Sequence, residues 1–188
     1  MKKIILAAAV ALLSFAANAQ EGKFAYVNFE ELVMLMPEMD EARAELEEIN
    51  KTNDEILTTM YEEYQVKVQQ YEQKSSTWTP AIVEVKQREI VDIEQRIQQT
   101  QQSLQQELQA RQQSLQAPIV EKANKVISDL AKAKGVAAVM DKSVFLYVDS
   151  AQIIDLTAEA REALNIPEGR TMETLYAEMR AKAQGGQR

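Results

Sequence analysis

The chain has 188 residues, 21 basic and 29 acidic, for a formal net charge of −8, with no cysteine and no histidine. Those two absences exclude a disulfide framework, thiolate chemistry, Ser-His-Asp and Cys-His catalysis and histidine-bound zinc. Only 5 glycines are present, no phosphate-cradling loop or dinucleotide motif occurs, and an acidic chain suits neither nucleic acid nor an anionic membrane surface.

Residues 1–19 read as a secretory signal peptide. Lys2 and Lys3 supply positive charge, and Ile4 to Leu13 form an apolar stretch too short to remain as a membrane span. Ala17-Asn18-Ala19 has the small-x-small pattern of a cleavage site, so the mature chain is expected to begin at Gln20. Removal of two lysines leaves 19 basic and 29 acidic residues. No cysteine follows the apolar run to carry a lipid anchor.

Phe24 to Phe29 is a short β-like run. Glu30 to about Lys74 has one long helical pattern, interrupted early by Pro37. Ser75 to Pro80 is a turn in which Thr79 suits the cap and Pro80 the first position of the next helix. Ala81 to about Lys134 is the second long helix, ended by Gly135 with Lys132 and Lys134 in its last turn. Two long helices joined by a short turn run antiparallel. Arms of roughly 40 residues extend about 60 Å at 1.5 Å per residue.

Apolar residues recur every 11 positions. One row is Ile82, Ile93, Leu104, Leu115 and Val126; another is Ile97, Leu108, Ile119 and Leu130. The first helix repeats Leu35, Leu46, Leu57 and Val68. This period is close to the relaxed helix, so the seam runs nearly straight or slightly right-handed, although the first helix also fits heptads through Leu35, Ala42, Ile49 and Ile56. Ile56, Leu57, Met60, Tyr61, Tyr64, Val68 and Tyr71 make a stripe wider than one partner helix requires. It is either a broad seam or an inter-chain contact, or else a surface for apolar segments of other proteins, for which Met and Tyr are suited. From Gln95 to Gln116, 11 of 22 residues are Gln, either a solvated face or a neutral hydrogen-bonding wall.

Val136–Met140 and Val144–Val148 read as two strands of a hairpin turning at Asp141-Lys142-Ser143. From Asp155 a helical segment follows, then a turn at Pro167-Glu168-Gly169 and a short amphipathic stretch with Leu175 and Met179, otherwise expected to be a loose tail. Three short strands without disulfides or metal make too small a core to stand alone. The expectation is therefore a base formed by pooling strands from several chains, with Tyr26, Val27, Val139, Phe145 and Tyr147 on the joining strands.

These segments resemble the Skp/OmpH family of periplasmic chaperones over nearly all the mature length. The resemblance is carried by Phe24-Ala25-Tyr26-Val27-Asn28, by Leu115 to Lys122 around Pro118, and by Ala131 to Val136. Leu146 to Asp149, Asp155-Leu156-Thr157 and Leu164-Asn165 complete it. It implies a mainly α fold of the α+β type: a jellyfish-shaped homotrimer with a β-rich trimerisation body (20–34 and 117–165) and helical-hairpin arms (35–116, tip 75–80). Residues 166–188 continue past the family's usual end. The implied function is ATP-independent holding of unfolded outer-membrane proteins in the periplasm, with no enzyme activity and no cofactor. Met60, Tyr61, Tyr64, Tyr71 and Trp78 are the candidate client-binding residues. Pro118 is either a tolerated bend or a hinge, and Trp78 either packs on the turn or touches a client or, transiently, a membrane surface. The family's best-known members have basic arms, whereas this one places Glu62, Glu63, Glu72, Glu84, Glu89, Asp92 and Glu94 there. A structural coiled-coil scaffold or spacer in the envelope is the competing reading.

Overall fold

The computed structural model of the chain describes residues 23–185, which fall into two compact units. One is built from the described residues up to Leu32 and from Ala123 onward; the other is Val33–Lys122. The expected signal peptide lies outside the described residues. No helix among the described residues is long and apolar enough to cross a membrane.

The first unit is a small α+β body. Its sheet has three parallel strands, β1 (Lys23–Val27), β2 (Val136–Asp141) and β3 (Ile153–Asp155), in the order β2-β1-β3. Ala25 stands opposite Val139 on one side and Ile154 on the other. Alternation along β1 buries Ala25 and Val27 and leaves Phe24 exposed, the pattern of a sheet with one covered face. The core beneath holds Leu32, Ala123, Ile127, Leu156, Ala160 and Leu164.

The expected hairpin does not form. Asp141 accepts a hydrogen bond from the Ser143 N–H at 2.8 Å and tightens Lys142–Val144 into a 3₁₀ turn. That is Asx-turn chemistry, and the segment has no glycine for the positive φ angles of a tight hairpin. Phe145 and Tyr147 consequently lie outside any strand, and the third strand comes from Ile153–Asp155, where no strand was expected. The connection 142–152 carries the chain past β1 to its far edge, as parallel pairing demands.

Helix α1 (Phe29–Leu35) ends because Pro37 forbids helical backbone at Met36, which adopts φ −61° and ψ 141°. Pro37 then opens α2 (Pro37–Lys74). Arg43 spans this break, donating to the Met34 carbonyl at 2.6 Å and pairing with Asp40 at 2.7 Å, which satisfies an acceptor left over at the end of α1. After a 3₁₀ turn at Ser75–Thr77, α3 (Pro80–Ala133) runs unbroken through Pro118 and ends at Gly135, whose φ is 64°. Two more helices follow in the body, α4 (Thr157–Ala163) and α5 (Met172–Gly185).

The segment after Asn165 is not loose. Asn165, at φ 56°, closes α4 with hydrogen bonds from its own N–H to the Glu162 carbonyl and from Ile166 to that of Arg161. Thr171 and Thr174 exchange side-chain and backbone hydrogen bonds at 3.0 and 3.2 Å to start α5. Leu175 is 2% exposed. Arg161 donates to the Arg170 carbonyl and pairs with Glu31 at 2.8 Å, tying this segment to α1.

Candidate functional site

The second unit is an antiparallel two-helix arm. Side-chain bridges fix its register: Tyr71 to Gln87 at 2.6 Å, Lys67 to Glu89 at 3.3 Å, Glu63 to Arg96 at 3.3 Å and Tyr61 to Gln101 at 2.8 Å. Glu45 to Arg111 at 2.5 Å and Glu38 to Lys122 continue the series. Each pair is nearly symmetric about residues 79–80, which two straight helices turning there require. Lys122 holds the Glu38 carboxyl below its ordinary range by its hydrogen bond. Lys86 and Lys67 do the same to Glu89.

Two helices alone cannot enclose a core. Ile93, Ile97 and Ile119 of the expected 11-residue rows are buried, but no residue from Arg43 to Asp92 is. Ile56, Tyr61, Val66, Ile82, Val85 and Val91 are each more than 40% exposed. Of the candidate client-binding residues, Met60, Tyr64 and Tyr71 are half-buried and Tyr61 is exposed. The Tyr61 and Tyr71 hydroxyls accept hydrogen bonds from Gln101 and Gln87, so those two rings also lock the seam. Trp78 is half-buried, packed edge-on against Tyr71 with ring centroids 6.1 Å apart.

Pro118 sits on an exposed position within continuous helix. It cannot donate to the Ser114 carbonyl, and at this surface water can take the vacant acceptor.

The arm also carries the charge. Residues 33–122 contain 17 acidic and 9 basic residues, an excess of eight acids equal to the net charge of the whole chain. Every arm cation except Lys74 lies within 4.0 Å of a carboxylate. A groove of about 400 Å³ lies along the arm with Ile49, Ile56 and Leu104 in it and Glu45, Glu48 and Glu107 around it. Sequence periodicity could not reveal this groove, because it depends on how the two helices are set against each other.

On the body, the residues named for oligomerisation divide. Tyr26 and Val27 are on the central strand and Val139 on an edge strand. Phe145 packs on Tyr26, rings 6.2 Å apart at 64°. Val144, Leu146 and Tyr147 face solvent at 66, 108 and 81% exposure. Among the described residues no group of acidic side chains is arranged to hold a metal ion.

The model of the OmpH-like outer membrane protein family matches residues 23–164. The fold is similar to a crystal structure of a proposed outer membrane chaperone (OmpH-like) from Caulobacter crescentus. That match has a TM-score of 0.68 at 17% identity and covers 77% of this chain and 84% of the other. Curated proteins provide no sequence match. With the family match spanning 23–164 of 188 residues and the fold agreeing with it, the chain belongs to the OmpH-like outer membrane protein family.

Proposed function

We propose that this protein is an ATP-independent periplasmic holdase. Several copies join through their bodies, and unfolded outer-membrane β-barrel proteins are held in the space between the arms. The observation that carries this reading is the apolar surface of the two-helix arm, where Ile56, Tyr61, Val66, Ile82, Val85 and Val91 have no third helix over them among the described residues. Family membership and the solved OmpH-like chaperone support it.

Exposed apolar side chains distributed along an arm make many weak contacts rather than one tight site. Linked weak contacts raise the effective concentration of the next, so the total affinity is high while each contact breaks quickly. Folding of the client into the membrane removes the unfolded species and draws it off without nucleotide. The joining of copies has its own support. Among the described residues, edge strands β2 and β3 have no further strand beside them, and Val144, Leu146 and Tyr147 lie exposed nearby in sequence. A homotrimer satisfies both edges of each sheet in a closed ring. Tyr26, Val27, Val139, Phe145 and Tyr147 are the residues assigned to that joining.

The test dilutes a urea-denatured β-barrel protein into buffer with excess mature chain and follows light scattering. Suppressed scattering is expected; unchanged scattering removes the holdase reading. The side-chain bridges along the arm favour a second reading, a stiff envelope spacer. Pull-down of many unrelated unfolded barrels supports the holdase, whereas one folded partner supports the spacer. For the joining, the solution mass should be three times the chain mass.

A further inference from the structure

The geometry points to the groove at Ile49, Ile56 and Leu104 as a docking site for unfolded polypeptide segments in which apolar side chains are flanked by Lys or Arg. This rests on the holdase reading and deepens it by naming the class of segment recognised.

Ile49 and Ile56 are seven residues apart, two helical turns on one face, and Leu104 comes from the opposing helix. Together they make an apolar floor open to solvent. The groove's carboxylates differ in their availability. Glu45 is engaged by Arg111, but Glu48 and Glu107 lie beside the same floor with no ion pair among the described residues. The arm has no surplus of positive charge to answer them, since among the described residues Lys74 alone of its cations has no carboxylate within 4.0 Å, and it stands at the far end of α2. An apolar side chain seated on the floor would carry its sequence neighbours past Glu48 and Glu107. Lys and Arg suit that position because their stems lie along apolar surface while the charged head reaches the rim. An acidic neighbour would meet like charge in the same place. The excess of eight acids on the arm adds a longer-range field of the same sign, effective within roughly 10 Å at 0.1 M salt.

The experiment measures binding of two fluorescent peptides to the mature chain by anisotropy. They share one apolar core and differ only in Lys or Glu flanks. The Lys-flanked peptide should bind about tenfold tighter at low salt, and the gap should shrink at high salt. Glu48→Gln with Glu107→Gln should weaken it about five- to tenfold, while Glu72→Gln with Glu94→Gln, outside the groove and of equal charge change, should weaken it less than about twofold. Equal binding of both peptides overturns the inference. So does an equal loss in both double variants, which would leave only diffuse charge. A change in solution mass in the groove variant alone also overturns it, since the occupant would then be another copy of the chain. Scattering by a denatured barrel protein is followed in parallel. Suppression without any preference for Lys flanks sinks the groove and leaves the holdase standing; absence of suppression removes the holdase itself.

Discussion

The carboxylate of Asp141, at the end of β2, accepts a hydrogen bond from the backbone N–H of Phe29 at 2.9 Å, joining positions 112 residues apart. The same side chain accepts from Ser143. One aspartate thus ends an edge strand, turns the chain toward the exposed Val144, Leu146 and Tyr147 and satisfies a free N–H at the start of α1. Thr157 performs a similar service at the other edge strand, accepting from the Asn28 N–H at 3.1 Å.

Loss of this link should weaken the body. Asp141→Ala is expected to cost about 1–2 kcal/mol, the usual range for removing a cap or a hydrogen bond to a charged group. Hydrogen exchange at Phe29 and along β1 would report it directly.

The body should also lose stability in acid. The Ser143 hydrogen bonds, then that from Phe29, hold Asp141 below its ordinary pKa of 3.8. Burial pushes Asp155 upward, but hydrogen bonds from Thr157 and Tyr26 outweigh it and leave this group depressed as well. A carboxyl with a lower pKa folded than unfolded contributes fully above the unfolded value. That contribution is lost as pH falls through the folded value. Thermal unfolding should therefore be flat from neutral pH to about 4–5 and fall below that. Asp141→Asn should flatten the acid limb.

Trp78 is the chain's one tryptophan, so its emission reports on the tip. Tyr71→Ala removes the ring packed on it and the hydroxyl bonded to Gln87. Emission should shift to the red and acrylamide quenching should rise. Arm stability should fall by about 1 kcal/mol, an aromatic pair being worth about 0.5–1.5 kcal/mol.

Leu175 tests whether the C-terminal segment belongs to the body. Leu175→Ala should lower stability by about 2–4 kcal/mol, as for other buried leucines. A loose tail would leave the melting curve unchanged.

Pro118→Ala separates a hinge from a tolerated proline. Restoring the N–H to the Ser114 carbonyl should stabilise α3 by roughly 1–3 kcal/mol. If Pro118 sets the arm's flexibility, distance distributions between labels on its two sides should narrow as well. A melting rise with unchanged distributions would mark it as a tolerated bend.

Much of this protein is written in local chemistry. Pro37 and Gly135 punctuate the helices because proline and glycine restrict or free the backbone wherever they stand. The 11-residue rows mark the seam between two long helices, and the turn at Ser75–Pro80 makes them antiparallel. The arm's acidity is likewise visible as simple composition.

The sheet was less legible, because parallel pairing is long-range. Val144–Val148 has strand composition, and its neighbours suggest a hairpin. Asp141 instead bonds to Phe29, far away in sequence, and β1 takes the place beside β2. Ile153–Asp155 is too short to register as a strand and becomes one because β1 has a second open edge. Leu175 looked like part of a tail, and only its burial assigns it to the core. Sequence alone determined the two long helices, their pairing and the charge they carry, since each follows from neighbours a few residues apart. Tertiary structure alone decided strand order, the exposure of Val144, Leu146 and Tyr147 and the groove at Ile49, Ile56 and Leu104, since these depend on which distant surfaces meet.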